Sequence, residues 1–220
     1  MLIPFFFGTV VGAIATGQVP AGVGDPWGSW IGPVPLFVGI LAVATGAYMA
    51  AMFLSGDSQR AGLDDLVGVF RTRALAAGIA TGGLAIAGLI LVRAEAPGLY
   101  DGLTSGAGLL AVVGSAAAGI ITLGLVWRGH YEAARFTSAA AVAAIVAGWG
   151  LAQRPDFLPG ALTLEDAAAG EATLNALFIS MAIALVVLAP SLWLLFRLVL
   201  RGRLDTDFHP ITAADPKREQ

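Results

Sequence analysis

Cysteine is absent from this chain, and charged residues are scarce. Only 12% of the 220 residues are Asp, Glu, Lys or Arg, about half the share that is usual in a soluble domain. The lack of cysteine excludes disulfides, thiol redox chemistry and iron–sulfur ligation by this chain. The net charge of −3, without a basic cluster, gives no reason to expect a nucleic-acid partner.

Hydrophobic residues make up 57% of the chain and leave long stretches without charge. Six such stretches are each near or above the ~18 residues that mark a membrane span. The sequence therefore predicts an all-α polytopic membrane bundle, one domain over residues 1–200, followed by a cytoplasmic polar tail over 201–220. The six transmembrane helices are placed near residues 2–17, 36–54, 74–92, 103–127, 133–152 and 173–200.

The basic residues fall on alternate sides of the predicted spans. Ten of the 12 Lys and Arg residues share one side: Arg60, Arg71, Arg73, Arg128, Arg135, Arg197, Arg201, Arg203, Lys217 and Arg218. Because basic loops resist translocation, that side is predicted to be cytoplasmic, with both termini. The opposite, outer loops are acidic and hold Asp25, Glu95, Asp101, Asp156, Glu165, Asp166 and Glu171.

This topology predicts that reporter fusions at Gly160 and at Gln220 lie on opposite sides of the membrane. A periplasmic reporter should be active at Gly160 and a cytoplasmic reporter at Gln220, because an odd number of spans separates the two positions. Two fusions that report the same side would contradict the six-span arrangement.

Three local patterns refine the helices. The first helix is read as a membrane helix; Ala13-Ile14-Ala15 matches a signal-peptide cleavage pattern, but no basic residue precedes it. The segment from Leu63 to Arg71 is amphipathic, so it lies at the interface or extends helix three. Small residues four apart indicate close helix packing, generic or as a partner seam: Gly8 and Gly12, Gly78 and Gly82, Ser115 and Gly119.

No residue of this chain is predicted to be catalytic, cofactor-binding or metal-ligating. No acid or base lies centrally in a span, which disfavours a proton relay built from this chain alone. A haem needs an axial ligand at membrane depth, whereas His130 and His209 are predicted to be solvated loop residues. The apolar spans do contain Met49, Met52, Met181 and Tyr48, which are interpreted as packing and hydrogen-bonding groups.

Most polar groups within the spans are expected to need only interhelical or backbone hydrogen bonds. The polar groups are Thr9, Thr45, Tyr48, Thr81, Thr122, Trp149, Asn175 and Ser180. Asn175 is the strongest candidate for a partner or quinone contact. Pro190 is predicted to kink helix six because it removes one backbone hydrogen bond.

The outer loop from Gln153 to Ala169 is the most distinctive segment. Pro155 and Pro159 restrict its backbone, and Thr163 with Asp166 predicts a capping box that opens a short helix. An outer loop with this much structure indicates docking or a lid.

From this loop onward the sequence closely resembles subunit II of the cytochrome bd ubiquinol oxidases. The resemblance rests on the order and spacing of Pro155, Leu158-Pro159, Leu162 to Ala168, Thr173-Leu174, Pro190-Ser191-Leu192 and Phe196-Arg197-Leu198. Upstream, the segments Pro4 to Pro20, Gly39 to Leu54 and Phe70 to Leu75 are similar to the same subunit. Arg154 departs from the pattern, because an aromatic residue is usual there.

The resemblance implies a membrane subunit of a bacterial plasma-membrane quinol oxidase. In such complexes subunit I holds the haems and the quinol site and reduces oxygen to water, while subunit II stabilises the haems and helps shape proton and oxygen access. This chain is then expected to bind no cofactor itself. Family members carry two further helices ahead of the point where this sequence starts, with carboxylates of the proton route, so a less stable assembly is expected. The alternative function is a small-solute transporter or permease subunit.

Overall fold

The structure is a computed structural model that describes residues 2–25 and 27–200. The predicted cytoplasmic tail, 201–220, lies outside the described residues, together with His209 and the four basic residues of the tail. Internal contacts divide the chain into two units, Met1–Ala167 and Ala168–Gln220, which are described separately.

The described residues form eight helices and one hairpin. The helices are α1 (Leu2–Ala15), α2 (Pro33–Arg60), α3 (Asp64–Glu95), α4 (Pro97–Leu103), α5 (Gly106–Trp127), α6 (Tyr131–Ala152), α7 (Leu164–Ala167) and α8 (Glu171–Leu200). Strands β1 (Asp156–Leu158) and β2 (Leu162–Thr163) pair antiparallel between α6 and α7. Helix α8 belongs to the second unit, and the other elements belong to the first.

The predicted all-α polytopic fold is confirmed. Five of the described helices, α2, α3, α5, α6 and α8, are long and apolar enough to cross a membrane. Helix α1 is apolar but has 14 residues, or about 21 Å at 1.5 Å per residue. Helix α8 continues through Pro190, whose predicted kink stays a prediction.

Several helices extend beyond the predicted membrane spans. Helix α2 continues to Arg60 beyond the predicted end at Leu54, and α3 begins at Asp64 instead of Ala74. The sequence reading stopped at the first charges, but charged residues are good helix formers outside the bilayer. The amphipathic segment after Leu63 is therefore the first part of α3, in agreement with the interpretation that it extends helix three.

A second difference lies between α3 and α5. The predicted fourth span, 103–127, begins three residues early, because Pro97–Leu103 forms the separate helix α4. Gly106 then starts α5 at a positive φ of 49°, a conformation that favours glycine. The prediction joined Leu103 to α5 because no charged residue separates Leu103 from Gly106.

Helix α2 is the centre of the first unit. It packs against α1, α3 and α6, while α5 pairs with α6 and also contacts α3. The main apolar cluster includes Tyr48 and Met52 of α2, Ala74 of α3, Val126 of α5 and Ala134 of α6. These contacts join four of the candidate spans into one bundle.

The glycine pattern marks a close seam between α1 and α2. A Cβ added to Gly8 would lie 2.7 Å from the Val38 carbonyl oxygen, and one added to Gly12 would lie 2.7 Å from Pro35 Cα. Gly39 faces Thr9 across the same seam. Small residues here let the two backbones approach directly.

In each of the other two small-residue pairs, only one residue contacts a neighbouring helix. Gly78 faces Leu123 and Tyr48, and the Ser115 hydroxyl donates a 2.8 Å hydrogen bond to the Ala141 carbonyl. Gly82 and Gly119 have open space where a Cβ would be. Close packing is therefore confirmed at Gly8 and Gly12, whereas Gly82 and Gly119 contribute nothing to packing among the described residues.

Candidate functional site

The two ends of the first unit differ in charge. The end that carries the α2–α3 and α5–α6 connections is called the basic end, because Arg60, Arg71, Arg128 and Arg135 lie there. The opposite end, which carries the hairpin and the α3–α4 connection, is called the acidic end. These two ends and the polar core between them hold the residues that sequence reasoning selected.

Hydroxyl groups connect helices α5 and α6 inside the bundle. The Thr122 hydroxyl of α5 donates to the Ala118 carbonyl at 2.7 Å and lies 2.7 Å from the Thr137 hydroxyl of α6. Tyr48 of α2 packs nearby, in the apolar cluster that includes Val126 of α5. Thr122 is fully buried, so these bonds satisfy polar groups that would otherwise be costly in lipid. The cluster is a fixed junction of uncharged groups.

The remaining polar groups divide into satisfied and unsatisfied ones. Thr9, Thr45 and Ser180 donate to backbone carbonyls three or four residues earlier, as expected. Thr81 Oγ1 and Trp149 Nε1 are buried and have no hydrogen-bond partner in the part of the chain that the structure describes. Nothing in the sequence around them distinguishes them from the satisfied groups.

Four charged side chains join α2 to α6 at the basic end. Arg60 lies 2.5 Å from Asp57 and 3.2 Å from Glu132, and Arg135 lies 3.4 Å and 3.5 Å from the same two carboxylates. The Arg135 guanidinium also lies 4.5 Å from the centre of the Phe53 ring. Two positive and two negative charges make the quartet neutral.

The quartet is structural in character. The side chains of Asp57, Glu132 and Arg60 are more than a third exposed, so each pair contributes at most about 1 kcal/mol. Together the pairs fix the end of α2 against the start of α6. Sequence reasoning missed the quartet because it placed Asp57 and Arg60 in a loop, and only the continued helix brings them to α6.

The outer loop is a short hairpin followed by one helical turn. The Gln153 amide donates to the Phe157 carbonyl at 3.0 Å, and the Leu164 N–H donates to the Pro155 carbonyl at 3.0 Å. The Arg154-Pro155 bond is cis. Pro159 at the turn reaches the end of α1, where its carbonyl oxygen would lie 3.1 Å from a Cβ at Gly17. The hairpin is thereby packed onto the bundle.

The predicted cap of the short helix is confirmed, but one of its two hydrogen bonds differs from that of a capping box. The Thr163 hydroxyl accepts from the Asp166 N–H at 3.2 Å, as an N-cap does. The Asp166 carboxylate then accepts from the same hydroxyl at 2.6 Å, whereas a capping box would use the Thr163 N–H. The loop is structured as the sequence indicated.

Replacing Thr163 with alanine should loosen this loop locally. The variant loses the cap of α7 and the hydroxyl that holds Asp166, a cost of about 1 kcal/mol. Limited proteolysis between residues 155 and 170 should become several times faster. Thr173→Ala is the matched control, since the Thr173 side chain makes no hydrogen bond to any described residue, and it should leave cleavage unchanged. Equal cleavage of both variants would contradict the cap.

The loop between α1 and α2 adds a polar turn and aromatic rings at the acidic end. Asp25 accepts a 3.0 Å hydrogen bond from the Trp27 N–H. This bond, with a second from the Gly28 N–H, holds the pKa of the Asp25 carboxyl below its usual value. The Trp30 ring lies 5.9 Å from Phe6 of α1 and 6.0 Å from Trp27. Aromatic rings at this level are typical of a membrane–water interface.

No group of three potential metal ligands occurs among residues 2–25 and 27–200. His130 is exposed at the start of α6, on the basic end, as the sequence predicted. Met52 is fully buried in the apolar cluster with Tyr48, and Met49 packs against it. The Asn175 side chain of α8 has no hydrogen bond to any described residue. The prediction that this chain holds no catalytic, cofactor-binding or metal-ligating residue stays a prediction.

The chain matches a model of a known protein family. The family model described as cytochrome bd terminal oxidase subunit II matches residues 1–199. The match covers every helix described above except the last residue of α8. No curated protein matches the chain.

Proposed function

Because the chain belongs to the cytochrome bd terminal oxidase subunit II family, we propose that it is the haem-free membrane subunit of a quinol oxidase. The observation that carries this proposal is the family match over nearly the whole bundle. In the complex, a haem-bearing subunit I oxidises quinol and reduces oxygen to water. This chain packs against that subunit and stabilises its haems.

The chemistry of the bundle fits a supporting role. Its interior holds an uncharged hydroxyl junction around Thr122, and its charged quartet is neutral and lies at one end. Neither arrangement offers a ligand pair for haem iron, which needs His, Met, Cys or Tyr in facing positions. The rigid contacts among α2, α3, α5 and α6 are those of a scaffold.

The proposed location is the bacterial plasma membrane, with both termini in the cytoplasm. The basic end is the cytoplasmic end, because arginine-rich loops stay on that side. The acidic end with the hairpin then faces outward. There the hairpin, which is held by Thr163 and packs near Gly17, either forms part of the contact with subunit I or lies over that contact as a lid.

Co-expression with the cognate haem-bearing subunit tests this function. Affinity purification through a tag on this chain should recover the partner with haem absorbance, and the preparation should consume oxygen when quinol is added. The transporter alternative predicts a pure chain without haem or oxygen uptake. Recovery of the chain without the partner, from cells that contain both, would contradict the proposal.

A further inference from the structure

The arginines of the first unit differ in whether their charge is neutralised. Among the described residues, only Arg60 and Arg135 form ion pairs, and both are balanced by Asp57 and Glu132. Arg71 and Arg128, also at the basic end, have no carboxylate within 4.0 Å. Asp64 and Asp65 begin the same helix as Arg71, but they form no ion pair with any described residue. Three arginines at this end, Arg71, Arg73 and Arg128, therefore have no ion-pair partner among the described residues.

A direct contact brings Arg71 and Arg128 into one patch. The Arg71 Nη2 donates a 2.5 Å hydrogen bond to the Trp127 carbonyl, at the end of α5. That carbonyl belongs to the peptide that joins Trp127 to Arg128. Arg128 is exposed, and its side chain forms no hydrogen bond or ion pair with any described residue. Trp127 is 72% exposed, and exposed tryptophans are typical of the headgroup level.

An apolar surface extends from this patch into the membrane. Helices α3 and α5 contact each other, and Gly78 of α3 meets Leu123 of α5. On α3, Ile79 lies two turns beyond Arg71, and on α5, Ile120 lies two turns before Trp127. Both isoleucines are strongly exposed, at 66% and 71%. The patch thus combines cationic groups at the bilayer surface with an apolar surface at the depth of acyl chains.

We propose that Arg71, Trp127 and Arg128 bind the phosphate headgroup of an anionic phospholipid, with its acyl chains along Ile79 and Ile120. Guanidinium groups donate paired, charge-assisted hydrogen bonds to phosphate oxygens. Arg71 keeps further N–H donors after its bond to Trp127, since a guanidinium has five. The site binds phosphatidylglycerol in preference to the zwitterionic phosphatidylcholine.

Native mass spectrometry of the delipidated chain, residues 1–220, tests this site. In titrations with phosphatidylglycerol and with phosphatidylcholine, the chain should bind one phosphatidylglycerol molecule with about tenfold higher affinity than phosphatidylcholine. The double variant Arg71→Gln with Arg128→Gln should lose that preference. Arg128→Gln alone keeps the hydrogen bond between Arg71 and α5, and it should reduce the preference for phosphatidylglycerol about threefold. This single variant keeps the proposal testable even where the double variant misfolds.

Arg73→Gln is the matched control. It removes one positive charge from the same helix. Arg73 lies two residues after Arg71 and therefore on a different face of α3. Its guanidinium lies 5.9 Å from the centre of the Phe70 ring instead. Its preference for phosphatidylglycerol should be unchanged. Equal retention of both lipids by the parent chain, an equal loss in Arg73→Gln, or displacement of the bound lipid by inorganic phosphate would each overturn the proposal.

Discussion

Replacing Gly12 with leucine is expected to separate α1 from α2 and to destabilise the chain by about 3 kcal/mol or more. The reason is that even a Cβ at this position would lie 2.7 Å from Pro35 Cα and 3.1 Å from the Val34 carbonyl. Backbone atoms cannot move aside as a side chain does. Thermal unfolding of the detergent-purified chain, followed by size-exclusion chromatography, measures the loss.

Gly82→Leu provides the control for this substitution. The sequence places Gly82 in the same small-residue pattern, but the structure leaves open space around it. The isolated chain should therefore tolerate leucine there with little change. Similar unfolding temperatures for the two variants would show that the α1–α2 seam is not where the first unit is most tightly packed.

The second large effect concerns haem. The purified chain is expected to show no Soret band, and the band should appear only with the haem-bearing partner. His130 is exposed at the basic end, and Met52 is buried in an apolar cluster that contains no histidine among the described residues. Neither is placed as an axial ligand at membrane depth. The visible spectrum of the chain with and without the partner measures this directly.

Two variants make the haem prediction specific. His130→Ala and Met52→Leu should each leave the haem content of the purified complex unchanged, because neither removes an iron ligand. Met52→Leu nearly preserves side-chain volume, so the apolar cluster should survive it. Stoichiometric haem in the isolated chain that disappears in His130→Ala would contradict the assignment of all haem to the partner.

The membrane fold could be predicted from hydropathy, but the helix ends could not. Charge shows where the bilayer ends, whereas a helix ends where its backbone hydrogen bonds stop. Arg60 therefore appeared to be a loop residue, although it is helical. The quartet of Asp57, Arg60, Glu132 and Arg135 was missed for the same reason, since it requires α2 to reach the start of α6.

The outer loop was predicted in part. The Thr163 to Asp166 spacing is a local signal, and it identified the cap correctly. The hairpin between Asp156 and Thr163 was not predicted, because its strands are too short to show an alternating pattern. The unsatisfied Thr81 and Trp149 groups were not separable from other polar residues, since a hydrogen-bond partner on another helix depends on the packed structure.

The most direct test of the proposed function is the haem spectrum of the partner subunit with and without this chain. Membranes from cells that express the haem-bearing subunit alone, or with residues 1–220, are solubilised and their reduced-minus-oxidised spectra are compared at equal amounts of that subunit. The proposal predicts that most haem absorbance is lost on solubilisation when this chain is missing and is retained when it is present. Identical spectra in the two preparations would contradict a haem-stabilising subunit.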